Sequence, residues 1–199
     1  MRWPQRAMMP SAEATQRLLE RLEPASEPEQ TYRLQMLELC QTPAPFARHQ
    51  FEPGHFTASA FILSPDRSAL LLIYHAKLER WLQPGGHVEA GDPSLVEAAY
   101  REAMEECALE RHELELLGDA PFDIDVHEIP ARRDEPAHLH YDVRYLFRCT
   151  TTSAQAGDGV LDLAYVSLDR INERASDASV LRAVRRLQTL GVPSHQRGT

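Results

Sequence analysis

Gly85-Gly86-His87-Val88-Glu89-Ala90-Gly91-Asp92, then eight residues, then Arg101-Glu102-Ala103-Met104-Glu105-Glu106, is the stretch on which the reading of this chain turns. On a helix, residues three and four apart share a face, so Glu102, Glu105 and Glu106 stand together, one turn above another. Three like charges so close repel one another unless positive charge sits among them. A hard divalent cation with a preference for oxygen ligands, Mg²⁺ or Mn²⁺, is the simplest partner. Acidic helix faces are also common as plain solvated surface. The upstream Gly-Gly-x-x-Glu-x-Gly run favours the metal site, and with it chemistry on phosphates.

Outward from this stretch, the pattern predicts a helix over about 93–108. Asp92 before Pro93 reads as an N-cap with Pro in the first turn, and Ser94 with Glu97 forms a competing capping box. Residues 56–63 and 69–74 read as strands separated by the turn Ser64-Pro65-Asp66-Arg67, and 81–83 as a brief extended piece. Downstream, Phe122, Ile124 and Val126 alternate with Asp123, Asp125 and His127. Leu139, Tyr141, Val143, Tyr145 and Phe147 alternate with His138, His140, Asp142, Arg144 and Leu146. That period of two predicts strands with one buried face and one mostly polar face. A strand over 161–168 and a helix over 177–190, apolar at Val180, Leu181, Val184, Leu187 and Leu190, close the chain.

Before residue 50 the pattern differs. Residues 11–24 form an amphipathic helix with Leu18, Leu19 and Leu22 as its stripe, and Pro24 stops it. A second helix runs through 31–40, and the proline-rich segment 42–53 reads as a linker. The expected organisation is a helical N-terminal extension over 1–50 and a main domain over 51–199. The extension docks on the main domain or mediates a homodimer.

Twenty-one Lys and Arg against thirty Asp and Glu give a formal charge of −9, with 43% hydrophobic residues. That surface has no general attraction for nucleic acid or for an anionic membrane, so a polyanionic substrate needs local help from metal or a few placed cations. The three cysteines, Cys40, Cys107 and Cys149, show no CxxC spacing, which points to a reducing compartment rather than a disulfide framework. No apolar run reaches membrane-spanning length and the start has no signal-peptide core, so the expectation is a soluble cytoplasmic protein.

The segment 86–109 resembles the signature of the Nudix hydrolases, which runs Gly, five residues, Glu, seven residues, Arg-Glu-aliphatic-x-Glu-Glu-x-Gly-aliphatic. Here Asp92 stands for the first Glu, one extra residue precedes Arg101, Ala103 is a small aliphatic residue, and Ala108 replaces the Gly. The Arg-Glu-x-x-Glu-Glu core is intact. The resemblance spans roughly 55–175 and implies a Nudix-like α/β/α sandwich with a mixed sheet. It implies Mg²⁺- or Mn²⁺-dependent hydrolysis of a pyrophosphate bond in a small-molecule nucleoside diphosphate derivative. It further implies metal ligation by Glu102, Glu105, Glu106 and the backbone of Gly85, with Glu105, Glu106 and Arg101 as catalytic residues. Arg101 is placed to brace a carboxylate, Glu97 at i−4 being one. A catalytically idle nucleotide-sensing module and an isopentenyl-diphosphate-type isomerase are the competing classes. The intact glutamates disfavour the first and the position of Cys107 in the signature helix disfavours the second.

Other residues carry weaker signals. Glu135 and Asp158 are candidate loop acids. His138 and His140, on one face of a strand, invite a zinc reading that His127 could join if the strands pair as a hairpin, although a polar strand face is the favoured explanation. Trp81 and Tyr100 could stack on a base. His75, Lys77 and Arg80 could offer charge to a phosphate, and His87 could reach one. No subgroup mark identifies the substrate.

Overall fold

The structure, a computed structural model, describes residues 9–132, 135–175 and 177–190. It holds four helices, α1 (Ala12–Arg21), α2 (Glu27–Leu39), α3 (Leu95–Cys107) and α4 (Ala178–Thr189), among the described residues. The strands are β1 (Gly54–Leu63), β2 (Ala69–His75), β3 (Arg80–Leu82), β4 (Gly85–His87), β5 (Leu114–Leu116), β6 (Asp123–Ile129), β7 (His138–Cys149) and β8 (Val160–Ser167). They form one mixed sheet in the order β3-β2-β1-β7-β5, with β4 on β1, β6 on β7 and β8 on β2, and helices flank it. Backbone contacts divide the chain into two compact units. The described parts of 1–59, 86–99 and 120–144 make the first, and those of 60–85, 100–119 and 145–199 the second.

In the first unit, α1 begins where the Ser11 hydroxyl accepts the Ala14 N–H at 3.3 Å, and it ends as Leu22 turns extended. α2 starts four residues earlier than its apolar pattern suggests, because Ser26 caps Glu29 at 3.4 Å and Pro28 fits the first turn, where its missing N–H is not needed. α2 packs on α1 and on β6, fully burying Leu19, Met36 and Leu39. Leu19, Leu22, Met36 and Leu39 of the N-terminal stripes are thus used in packing within the chain, while Leu34 stays 49% exposed.

The alternation in β6 and β7 appears as expected, but the polar face is buried at Asp123, Asp125, His138, Asp142 and Arg144. Arg144 is 1% exposed and grips three buried carboxylates: Asp142 through Nε at 2.8 Å, Asp123 through Nη1 at 3.0 Å and Asp125 through Nη2 at 3.2 Å. Asp142 also accepts the hydroxyls of Thr57 at 3.1 Å and Ser59 at 2.8 Å. Burial works against the guanidinium charge, and the three carboxylates outweigh it, holding its pKa above the ordinary value. Hydrophobic alternation reports which residues share a face. It does not report that a charged face has found its partners inside.

α3 begins at Leu95, because the Ser94 hydroxyl accepts the Glu97 N–H at 3.3 Å and the Ser94 carbonyl accepts the Ala98 N–H at 3.1 Å. The cap expected at Asp92 is therefore one turn-residue pair too early. The Asp92 carboxylate instead accepts the Glu89 N–H at 2.8 Å and closes the turn before the helix. The segment between Asp92 and Leu95 is turn, so the extra signature residue leaves the phase of the glutamates intact. At the other end Leu109 N–H reaches back to the Met104 carbonyl at 3.3 Å, and Ala108 sits at φ 48°, a Schellman stop made without glycine. A left-handed Ala carries a cost that Gly avoids. Ala108→Gly is expected to stabilise the fold by about 1 kcal/mol and to raise Tm by about 2–4 °C in a thermal melt.

In the second unit, β2 pairs with β1, β3 and β8, and Leu70, Leu71 and Leu72 are all fully buried, an uninterrupted apolar run rather than an alternating one. α4 is capped by Asp177, which accepts the Ser179 N–H at 2.9 Å, and buries Val180, Ala183, Val184 and Leu187. Leu190, expected on that stripe, is 63% exposed because the helix has ended. β5 is too short to show a period. Just before it, Glu113 accepts the Glu110 N–H at 2.8 Å and the hydroxyls of Ser153 at 2.6 Å and Thr151 at 2.9 Å. These bonds, the Glu110 N–H first, lower its pKa from 4.5 to about 2. A carboxyl whose folded pKa is depressed contributes fully above its unfolded pKa, and the contribution fades as pH falls through the folded value. Glu113→Gln is accordingly expected to flatten the loss of Tm between about pH 4.5 and 2, measured by thermal melts across that window. Cys40, Cys107 and Cys149 are free and buried. Among the described residues no helix is long and apolar enough to cross a membrane.

Candidate active site

α3 turns its small and apolar residues inward, with Leu95, Ala98, Ala99, Ala103 and Cys107 buried. The small side chain of Ala103, fully buried, sits on this inward face, and Glu102, Glu105 and Glu106 lie beside it. Arg101 Nη1 donates to Glu102 Oε1 at 3.0 Å and to Glu105 Oε2 at 3.1 Å, so one cation braces two of the three acids. Glu105 is the open member of the set, its side chain 51% exposed against 12% for Glu102.

Glu106 is buried, and its Oε2 accepts the Gly85 N–H at 2.9 Å. This bond joins the glycine segment to the helix across 21 residues of sequence. Burial pushes the Glu106 carboxyl up to about 7; the Gly85 N–H opposes that shift, while the charges of Glu102 and Glu105 add to it. Three carboxylates against one guanidinium leave excess negative charge on oxygen donors, with one acid buried. That donor set fits a hard divalent cation.

The helix end that carries Glu105 and Glu106 is held by the loop of Asp158, which the sequence offered for its carboxylate and not for its backbone. Gln155, Gly157 and Asp158 N–H groups donate to the carbonyls of Cys107 at 2.9 Å, Glu106 at 2.9 Å and Glu105 at 3.2 Å. The last-turn carbonyls of a helix lack i+4 partners within it, and these bonds supply donors from the loop. A Cβ at Gly157 would lie 1.9 Å from the Glu105 carbonyl oxygen, so only glycine permits the approach. Gly-Asp-Gly at 157–159 is the local signal that could have pointed here. Asp158 thus reaches the signature helix through its backbone. Glu135 pairs with Arg48 at 3.5 Å in the first unit.

The remaining candidates find structural partners. Tyr100 is buried edge-on against Phe147 and lies under the Arg111 guanidinium at 3.8 Å. Trp81 packs against Tyr74 and under Arg174 at 4.6 Å. His75 Nδ1 accepts the Lys77 N–H at 3.1 Å, and Arg80 lies 3.8 Å from Asp177. The hairpin hypothesis for the histidines holds: His127 pairs opposite His140, and Ile129 opposite His138. Two rings that the sequence did not connect, His55 and His87, join them. Burial first, then the neighbouring rings, lower His140 to about 2, and burial is also the chief cause that takes His87 to about 4.

The family model described as the NUDIX domain matches residues 53–186, and the chain belongs to that family. Membership makes it a pyrophosphohydrolase acting on acid anhydrides in phosphorus-containing compounds. Among solved structures, the Ap4A hydrolase of C. elegans in a binary complex is similar at TM-score 0.54 and 18% identity, over 68% of this chain and 96% of that one. The E. coli dihydroneopterin triphosphate pyrophosphohydrolase is similar at TM-score 0.56 and 16% identity, over 66% and 92%. The NUDIX domain of Shewanella oneidensis NrtR, complexed with ADP ribose, is similar at TM-score 0.51 and 18% identity, over 68% and 86%. At such identities these likenesses concern the fold. No curated protein sequence matches the chain.

Proposed function

We propose that the chain hydrolyses, with Mg²⁺ or Mn²⁺, the pyrophosphate bond of a nucleoside diphosphate linked to another moiety, such as a nucleotide sugar or a dinucleotide. The observation that carries this reading is the α3 face, where Arg101 braces Glu102 and Glu105 while the Gly85 N–H holds Glu106 beside them. Similar folds occur in an Ap4A hydrolase, in a NUDIX domain complexed with ADP ribose and in a dihydroneopterin triphosphate pyrophosphohydrolase, which sets the breadth of substrates to try.

A cation bound by Glu102, Glu105 and Glu106, with the Gly85 backbone beside them, would neutralise anhydride oxygens and lower the pKa of the attacking water. The protein does the rest. Arg101 fixes Glu102 and Glu105 in one orientation. The Gly85 N–H holds one oxygen of Glu106 and leaves the other available. The capping loop fixes the helix end. Water attacks phosphorus, the bridging P–O bond breaks, a glutamate of this face accepts the water's proton, and two phosphate-bearing products leave.

The test is a panel of nucleotide sugars, dinucleotides and nucleoside triphosphates in ¹⁸O-water with Mg²⁺ or Mn²⁺. Cation-dependent release of two phosphate-bearing products, one carrying ¹⁸O, is expected for at least one nucleoside diphosphate derivative. Binding of such compounds without release would instead favour a nucleotide-sensing module, and isomerisation without release would favour an isomerase.

A further inference from the structure

We propose that His55, His138 and His140 form a site for one borderline divalent transition-metal ion of the zinc class. One ligand nitrogen from each of the three lies within 4.8 Å of the other two. The site is built on strands: His55 on β1, and His138 and His140 two apart on β7, hence on one face.

The hydrogen bonds set the tautomers that ligation requires. His55 Nδ1 lies 3.1 Å from the Gln50 carbonyl oxygen, and His138 Nδ1 lies 2.8 Å from the Pro136 carbonyl oxygen. A carbonyl only accepts, so each Nδ1 carries the proton and each Nε2 presents a lone pair. A backbone carbonyl that orients the ring from behind is the usual outer partner of a metal-bound imidazole. His55 is fully buried, and its Nε2 has no hydrogen-bond partner. The His138 Nε2 faces the His140 Nε2 at 3.3 Å. Two imidazole nitrogens on one tetrahedral Zn²⁺, each about 2.0–2.1 Å from the ion, stand about 3.3–3.4 Å apart. His87 packs against the same group, its ring centre 5.1 Å from His55 and 5.2 Å from His140.

A set of neutral nitrogens selects zinc, cobalt, nickel or copper over Mg²⁺, and the oxygen donors on α3 have the opposite preference. The inference therefore stands or falls separately from the proposed hydrolysis. The rival arrangement is a plain hydrogen bond, with a proton on His140 Nε2 directed at His138 and a buried lone pair on His55 left unused.

Titration of the untagged, full-length protein with Co²⁺ in excess Mg²⁺ separates the two. One equivalent of Co²⁺ is expected to give the strong visible absorption of four-coordinate, nitrogen-ligated cobalt, and Zn²⁺ is expected to displace it. Glu105→Gln/Glu106→Gln should keep that band. His138→Ala/His140→Ala should lose it, with affinity down about 100-fold or more. If the double variant fails to fold by circular dichroism, the single change His55→Gln carries the same expectation. The proposal is overturned if no such band forms, if the band persists in the folded histidine variants, or if it is lost with the glutamates.

Discussion

Changing Glu105 and Glu106 together to Gln is expected to lower kcat for cation-dependent pyrophosphate hydrolysis by roughly 10³-fold or more. Gln keeps the shape and the acceptor oxygen, so the bond from the Gly85 N–H survives while the charge is lost. The helix should tolerate the change, since it removes the repulsion of Glu102 with Glu105 and Glu106, three and four residues on along the same face. The circular dichroism spectrum and Tm should stay at or above those of the parent chain. Retention of cation-dependent turnover by the double variant would show that the reaction uses another site.

Replacing Arg144 with Met is expected to destabilise the fold by about 3–5 kcal/mol, because it leaves Asp123, Asp125 and Asp142 buried without their cation. For a chain of this size that is a fall in Tm of about 6–20 °C. Lys at the same position keeps the charge, but a single ammonium lacks the planar fork that reaches three carboxylates, so it should recover only part of the loss. A melt within about 2 °C of the parent for the Met variant would mean that the cluster contributes little to the fold.

These two sites differ in how legible they were. Glu102, Glu105 and Glu106 declare themselves because helical spacing is local: three residues in a run of five fix a common face without knowledge of anything else. The bounds of α3 followed from Ser94 and Ala108, although Asp92 and Ser94 both had the chemistry of a cap and only the fold chose between them. The bond between Gly85 and Glu106 depends on how two distant segments meet, and no spacing encodes that. Likewise, alternation put His138, His140, Asp142 and Arg144 on one face, and pairing with β6 determined that Arg144 would meet Asp123 and Asp125. His55 and His87 reach the histidine cluster from β1 and from the glycine segment. Their membership is a product of sheet order, and no residue near either one signals it.

The N-terminal helices make the same point. Their stripes were apolar enough to dock or to dimerise, and Leu19, Met36 and Leu39 are consumed by packing inside the chain. The amphipathic pattern states that a face will be covered, and the identity of the cover is a tertiary fact.

The α3 carboxylates are most directly tested by Mn²⁺ binding, followed by electron paramagnetic resonance and calorimetry in wild type and in the Glu102→Gln/Glu105→Gln/Glu106→Gln variant. One equivalent of Zn²⁺ is present in both proteins, to occupy the proposed histidine site and leave the carboxylates to Mn²⁺. Mn²⁺ is expected to bind the wild type and to be competed by Mg²⁺, and the triple variant should lose that binding while remaining folded. Binding of Mn²⁺ to the triple variant at wild-type affinity would contradict the assignment of this helix face as the metal site.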